Sequence, residues 1–273
     1  MTQEIKRVIV PLDTTSETGA AIDTAAYLAA RWRVPLHGVF IEDEDLISLA
    51  GLPFARQVTL GAGLEPLTKD HVEDHFRAFA ERARREFAAA ADHHGVKWSF
   101  ETVRGPLAPD TLGGEHDFFV AGAASRPIGD HFRIASPWQS WMAIVARPFL
   151  LAKREWETGG SVFTLLRRRD PKSARVLDIA AQIAGFRSGS LTVAGAPGLA
   201  GSDDFTAWVS EILEGHSLKL QTEPAATEPA ALRQRIIELD CRLVVLEASE
   251  QDAQPDELRE LVEQLACDVL IIR

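Results

Sequence analysis

The chain is acidic, ordinary in composition, and long enough for one or two domains. Its 273 residues carry a formal net charge of −11, and 46% of them are hydrophobic, which is typical of a globular protein with a substantial core. The negative charge argues against nucleic acid or an anionic membrane as the main partner. No apolar run reaches the roughly 18–20 residues that a membrane span needs. Residues 1–7 lead directly into an apolar strand and leave no room for a signal peptide, which predicts a cytoplasmic location.

Strand-like and helix-like segments alternate through the first half, which predicts an α/β fold with a mostly parallel sheet. The predicted strands cover residues 7–12, 36–41, 98–103, 118–122 and 149–153. The predicted helices cover residues 16–33, 67–94 and 138–146. Gly95 is the expected C-terminal cap of the longest helix. Residues 42–66 contain many glycines and prolines and are predicted to form a loop.

The second half repeats this order of elements. Its predicted strands cover residues 162–166, 190–195, 218–222, 243–246 and 269–272, and its helices cover 173–184, 204–214, 229–239 and 255–265. The same number of positions separates Asp13 from Arg168 and Ala25 from Ala180. A polar linker at 154–160 divides the halves. We therefore predict two tandem, doubly wound domains with five-stranded parallel sheets, at residues 1–153 and 161–273.

The residue types that usually carry catalysis do not stand at recognisable spacings. No Ser/His/Asp trio or metal-ligand cluster is evident, so no catalytic residue and no metal are predicted. His71 and His75 have the i, i+4 spacing of a metal pair, but their acidic neighbours favour a polar helix face. Cys241 and Cys267 lack a CxxC spacing and are interpreted as small buried hydrophobes.

Two motifs in the first half resemble those of the universal stress protein family. The first strand ends in Pro11-Leu12-Asp13 and leads into an alanine-rich helix. The fourth strand delivers Gly122, then Ser125, then nine residues, then Ala135-Ser136. This spacing fits the family's glycine-rich loop, although Ser125 and Ala135 replace two of its glycines. The resemblance covers the whole chain and implies two tandem domains of the adenine nucleotide α-hydrolase-like fold.

The resemblance also implies a nucleotide site in domain 1, for ATP or another adenine nucleotide. Asp13 and Val39 would meet the adenosine, and Pro11 would shape the strand end. The phosphates would be surrounded by Gly122, Ser125, Ala135 and Ser136. A Cβ in place of a family glycine costs about 1–2 kcal/mol if the backbone needs positive φ, and it narrows the phosphate cradle. Nucleotide binding is therefore one expectation for domain 1, and a site that is weakened, empty or re-used is the alternative.

The matching positions of the second half differ in charge. Arg168 stands where the first half has Asp13, and Glu247 stands where it has Gly122. A carboxylate at this point repels phosphate, so no nucleotide is expected in domain 2. One hypothesis is that Arg168 and Glu247 form an ion pair that plugs the old pocket. The alternative is that both side chains point separately into solvent.

Three functions follow from the resemblance. The first is a non-catalytic stress-response or signalling protein that acts as a scaffold or regulator, with protein partners that the sequence does not name. The second is a regulator that binds ATP in domain 1, and the third is a slow nucleotide hydrolase. Family members dimerise through their last strands. Residues 149–153 and 269–273 are therefore expected to pair within the chain as an internal pseudo-dimer, with further homodimerisation left open.

Overall fold

The computed structural model describes most of the chain and divides it into two compact units. The described residues are 5–14, 18–59, 63–105, 114, 116–123, 147–156, 159–187, 189–196, 198–199, 203–225, 229–248 and 255–272. We call Arg7–Gly114 with Val120–Ile144 the N-terminal unit. The C-terminal unit comprises Met1–Lys6, Glu115–Phe119 and Val145–Arg273. The predicted α/β fold with a large, mostly parallel sheet is confirmed.

The N-terminal unit is built on parallel strands with helices packed against them. Its elements are β1 (Arg7–Leu12), α1 (Thr18–Trp32), β2 (Leu36–Glu42), α2 (Glu44–Ala50), β3 (Arg56–Thr59), β4 (Gly63–Pro66), α3 (Lys69–His94), β5 (Trp98–Arg104) and the end of β6 (Asp117–Gly122). β2 pairs in parallel with β1 on one side and β5 on the other, and β6 neighbours β1. Because β1 and β6 are apolar and buried almost throughout, they have the pattern of strands covered on both faces.

The long helix α3 begins and ends as the sequence predicts. Its buried face carries Val72, Phe76 and Phe87 at helical spacing. At its start the hydroxyl of Thr68 accepts a hydrogen bond from the amide of His71 at 3.3 Å. Gly95 ends the helix in the left-handed conformation with φ 67°, which confirms the predicted cap.

The prediction of a loop over residues 42–66 is wrong in part. The helix α2 starts at an N-cap, where Asp43 Oδ1 accepts a hydrogen bond from the amide of Leu46 at 3.1 Å. The strands β3 and β4 then form an antiparallel hairpin. The glycines and prolines of this segment suggest a loop, while its elements have four to seven residues and are too short to show a periodic pattern.

The C-terminal unit also has a parallel sheet, with one antiparallel strand. Its elements are β7 (Phe149–Ala152), β8 (Ser161–Leu166), α4 (Pro171–Arg187), β9 (Ser190–Gly195), α5 (Asp203–Ile212), β10 (Lys219–Pro224), α6 (Pro229–Glu238), β11 (Cys241–Glu247), α7 (Pro255–Gln264) and β12 (Asp268–Ile272). The strand order is β10-β9-β8-β11-β12-β7. Neighbouring strands are parallel except for β12 and β7.

The antiparallel pairing joins the ends of the two sequence halves. Leu150 of β7 lies opposite Leu270 of β12, and both residues are fully buried. β7 belongs to the first half in sequence but packs in the C-terminal unit. The domain boundaries 1–153 and 161–273 stay a prediction.

Two further features of the described residues bear on the sequence analysis. Cys241 and Cys267 are buried and free, which confirms their interpretation as small hydrophobes. No helix in the described part of the chain is long and apolar enough to cross a bilayer.

Candidate functional site

The candidate site lies at one edge of the N-terminal unit, where strands β1, β2 and β6 end. Pro11 is buried in β1 and lies opposite Val39 of β2, which is also buried. Asp13 follows the last residue of β1 and is half-buried. The structure thus brings Pro11, Asp13 and Val39 to neighbouring positions, and their contact with a nucleotide stays a prediction.

Gly122 reaches the same edge from the other side of β1. The amide of Lys6 donates to the carbonyl of His116 at 2.9 Å, immediately before β1 and β6 begin. Because these neighbouring strands start together, they run in the same direction, and their carboxyl ends share an edge. Gly122 is the last, buried residue of β6. It presents backbone without a Cβ beside the position of Asp13.

The strand order makes this edge suitable for a ligand. β2 lies on one side of β1 and β6 on the other, so the strand order reverses at β1. Ligands of open parallel sheets bind outside the carboxyl ends of the strands at such a switch point. The other predicted phosphate contacts, Ser125, Ala135 and Ser136, lie outside the described residues, as does the helix predicted at 138–146.

An ion-pair network that the sequence did not reveal lies at the ends of β2 and β5. Arg104 Nε is 3.0 Å from Glu42 Oε2, and Arg104 Nη2 is 3.2 Å from Glu73 Oε1. The hydrogen bond to Glu42 raises the pKa of Arg104, so the guanidinium stays charged. These residues are far apart in sequence, and the parallel pairing of β2 with β5 places Glu42 opposite Arg104.

The corresponding edge of the C-terminal unit carries a buried carboxylate. Glu247 ends β11, and its side chain is 7% exposed. Its Oε2 accepts a hydrogen bond from the hydroxyl of Ser173 at 2.9 Å, and Lys172 Nζ lies 4.0 Å from its Oε1. Lys172 Nζ also donates to the carbonyl of Ala248 at 2.8 Å. The carboxylate is therefore held by the first turn of α4.

The start of α4 is capped by a second carboxylate. Asp170 Oδ1 accepts a hydrogen bond from the amide of Ser173 at 2.8 Å, and this bond lowers the pKa of Asp170. Pro171 is the first residue of the helix and has no N–H to offer. A helix N-terminus is an anion-binding position, and here the chain's own carboxylates lie at that position.

The hypothesis for this edge named Arg168 as the partner of Glu247. Among the described residues, Lys172 is a cation that lies beside Glu247. Arg168 is exposed and contributes to lowering the pKa of Asp170. Sequence reasoning missed Lys172 and Ser173. The Asp170-Pro171 pair signals a helix start, but it does not show where the following side chains point.

No cluster of three or more His, Cys, Asp or Glu side chains that could hold a metal ion occurs among the described residues.

The structure offers Asp13 and Gly122 at one strand edge and Glu247 at the other. At the first edge Gly122 adds no side chain to the strand end, whereas at the second edge Glu247 places a carboxylate at the equivalent position.

Comparison with known proteins supports the fold. No family model matches the chain, and no curated protein matches it. A universal stress protein from Archaeoglobus fulgidus aligns with 100% of this chain and 97% of its own, with a TM-score of 0.72 and 11% identity. A functionally unknown protein from Pseudomonas aeruginosa aligns with 99% of this chain and 93% of its own, with a TM-score of 0.57 and 17% identity. The chain therefore has a universal stress protein-like fold.

Proposed function

We propose that this chain is a non-catalytic regulator or scaffold of the universal stress protein type, with at most one nucleotide site. The observation that carries the proposal is the contrast between Gly122 and Glu247 at the two strand edges. Glu247 is buried beside Lys172 and Ser173. A phosphate there would have to displace a carboxylate from its partners and approach a negative charge, which is unfavourable.

The N-terminal unit is the proposed place for the ligand, which is ATP or another adenine nucleotide. Gly122 lets the backbone approach phosphate closely, and Asp13 can accept hydrogen bonds from ribose hydroxyls or the base. Val39 and Pro11 supply apolar surface beneath. Binding at this edge would change the affinity of the protein for its partners.

The experiment is a calorimetric titration with ATP and Mg²⁺. We expect a stoichiometry of one per chain, and loss of binding in Gly122→Glu. The matched control is Gly185→Glu, since Gly185 is exposed on α4 and has open space around its Cβ position. Two sites per chain, or full binding by Gly122→Glu, would overturn the assignment. If ATP neither binds nor raises the melting temperature at millimolar concentration, the nucleotide site fails.

Slow hydrolysis of the nucleotide is the competing function. It is separated from regulation by chromatography of the nucleotide after prolonged incubation with the protein. We expect ATP to be recovered intact. Formation of ADP that is lost in Asp13→Ala would instead establish a hydrolase.

We also propose that the chain replaces the family's dimer contact with an internal one. The pairing of β7 with β12 supports this proposal, because the resemblance assigns dimerisation to the final strands. Sedimentation over a range of concentrations tests whether the cytoplasmic protein is a monomer or associates further. A mass that stays at two chains on dilution would contradict the internal replacement.

A further inference from the structure

A cavity of about 240 Å³ lies in the C-terminal unit, where α6 and α7 end and where β11 and β12 begin. It is distinct from the edge that carries Glu247. β11 runs from Cys241, on the cavity wall, to Glu247 at its other end. Six residue steps of an extended strand place the cavity about 20 Å from that edge. The cavity is therefore separate from that strand edge, and none of its described lining residues belongs to the N-terminal unit, where the nucleotide site is proposed.

Three arginines from separate segments line this cavity. They are Arg154 of the linker, Arg233 of α6 and Arg242 of β11. Among the described lining residues, Asp240 is the one carboxylate, and its side chain is 80% exposed. Arg242 Nε lies 3.8 Å from Asp240 Oδ1, so this pair is loose and screened by solvent. Among the described lining residues, arginines therefore outnumber carboxylates by three to one, in a chain whose net charge is −11.

The cavity lies beside the C-terminus of α7, and the partial negative charge of that helix end does not cancel the positive charge of the arginines. The last carbonyls of a helix carry partial negative charge. Here Lys153 Nζ donates to the carbonyls of Val262 and Leu265, the latter at 2.6 Å. The partly buried ammonium group of Lys153 therefore compensates the end of α7. Burial also raises the pKa of Cys267, on the cavity wall, to about 11, so this thiol stays neutral near pH 7.

The rest of the wall is apolar apart from Gln264, whose Oε1 accepts a hydrogen bond from Arg233 Nη1 at 2.7 Å. Ile236 and Leu265 are 3% exposed and form a fixed surface, while Ile237 is 64% exposed. An inorganic ion would gain nothing from this surface, whereas an organic body would bury area against it. The volume equals that of roughly eight water molecules, which suits a ligand much smaller than a nucleoside triphosphate.

We propose that this cavity binds a small organic phosphate monoester. The planar guanidinium groups match phosphate oxygens with pairs of N–H donors, and three of them offset the charge of a dianion. The apolar body of the ligand packs against the exposed side chain of Ile237. Such binding is independent of the nucleotide site and would give the chain a second small-molecule input.

The test is a calorimetric titration of the full chain with phenyl phosphate as the probe, compared with inorganic phosphate and phenol. We expect phenyl phosphate to bind once per chain and at least about tenfold more tightly than either fragment, because it uses both walls. Absence of saturable binding at millimolar concentration would overturn the proposal. Equal affinity for phenyl phosphate and inorganic phosphate would overturn the proposal that the ligand is organic.

Point variants test whether phenyl phosphate binds in this cavity. Arg233→Gln and Ile237→Asp should each weaken phenyl phosphate on the order of tenfold, by removing a donor and by adding a negative charge. The matched controls are Arg84→Gln, on the exposed face of α3, and Ile237→Asn, which adds no charge. Unchanged affinity in both test variants would refute the location. Displacement of the probe by ATP would place it in the nucleotide site instead, and failure of ATP binding alone leaves this proposal standing.

Discussion

Arg187 and Asp268 form a buried ion pair between the end of α4 and the start of β12. Arg187 Nη1 lies 3.7 Å from Asp268 Oδ2, and the two side chains are 2% and 3% exposed. The ring of Trp156 stacks on Arg187 with its centroid 4.2 Å from Cζ. Asp268 Oδ1 also accepts a hydrogen bond from the amide of Lys153 at 2.9 Å. The linker between the sequence halves is thus anchored to the C-terminal unit.

Removing Asp268 should destabilise the C-terminal unit. Asp268→Ala removes the acceptor of the Lys153 amide as well as the partner of Arg187, and the expected loss in free energy of unfolding is about 1–3 kcal/mol. Urea denaturation followed by fluorescence measures it. Glu211→Ala, an exposed change on α5, is the control and should change stability little. A double variant, Asp268→Leu with Arg187→Met, should lose less than the sum of the single changes; simple additivity would show that the pair is not coupled.

The pair should also give an unusual pH dependence. Burial raises the pKa of Asp268, and the hydrogen bond from Lys153 and the charge of Arg187 offset this only in part. Between the ordinary aspartate pKa of about 3.9 and the raised value, the folded state binds more protons than the unfolded state. The contribution of Asp268 to the free energy of unfolding therefore rises as the pH falls through this window.

Asp268→Asn lacks that contribution, so it provides the reference. The stability of the wild type relative to Asp268→Asn should increase as the pH is lowered from 7 towards 4. Denaturation curves at a series of pH values measure the difference. A difference that shrinks on acidification would mean that the pKa of Asp268 is lowered by Arg187 rather than raised by burial.

The carboxylate that fills the second strand edge should be structural. Glu247→Ala removes the acceptor of the buried Ser173 hydroxyl, and the expected loss is about 1–3 kcal/mol. Glu247→Gln keeps an oxygen for Ser173 and should lose less. Melting temperatures rank the two variants against Glu214→Ala, an exposed control. Equal stability of the wild type and Glu247→Ala would contradict the arrangement.

Alanine substitutions at Gly95 and Gly185 should change the stability of the protein in opposite directions. Gly95→Ala strains a backbone with φ 67° and should cost about 1–2 kcal/mol, although nothing lies within 4 Å of its Cβ position. Gly185 also has open space around it but lies within α4. Gly185→Ala should therefore stabilise the protein by about 0.5–1 kcal/mol. Calorimetric melting of both variants checks the pair, and a loss at both positions would refute the conformational explanation.

Much of the fold could be predicted because its signals are local. The apolar strands and the long amphipathic helix can be recognised from the spacing of their apolar residues along the chain. Gly95 indicates a helix end because glycine tolerates positive φ. The helix α2 and the β3–β4 hairpin could not be predicted, because they are short and lie among turn residues. Of the proposed site, Pro11, Asp13, Val39 and Gly122 were predicted from the resemblance to the universal stress protein family, and their roles stay predictions.

The sequence by itself determined the alternation of strands and helices, the repeat of that pattern, and the loss of Asp13 and Gly122 from the second half. These are properties of residue type and spacing along the chain. Tertiary structure decided which groups meet: Glu247 with Ser173 and Lys172, Arg187 with Asp268, and three arginines around one cavity. Such contacts join residues from different elements, and their geometry depends on strand register and helix packing, which no local pattern encodes.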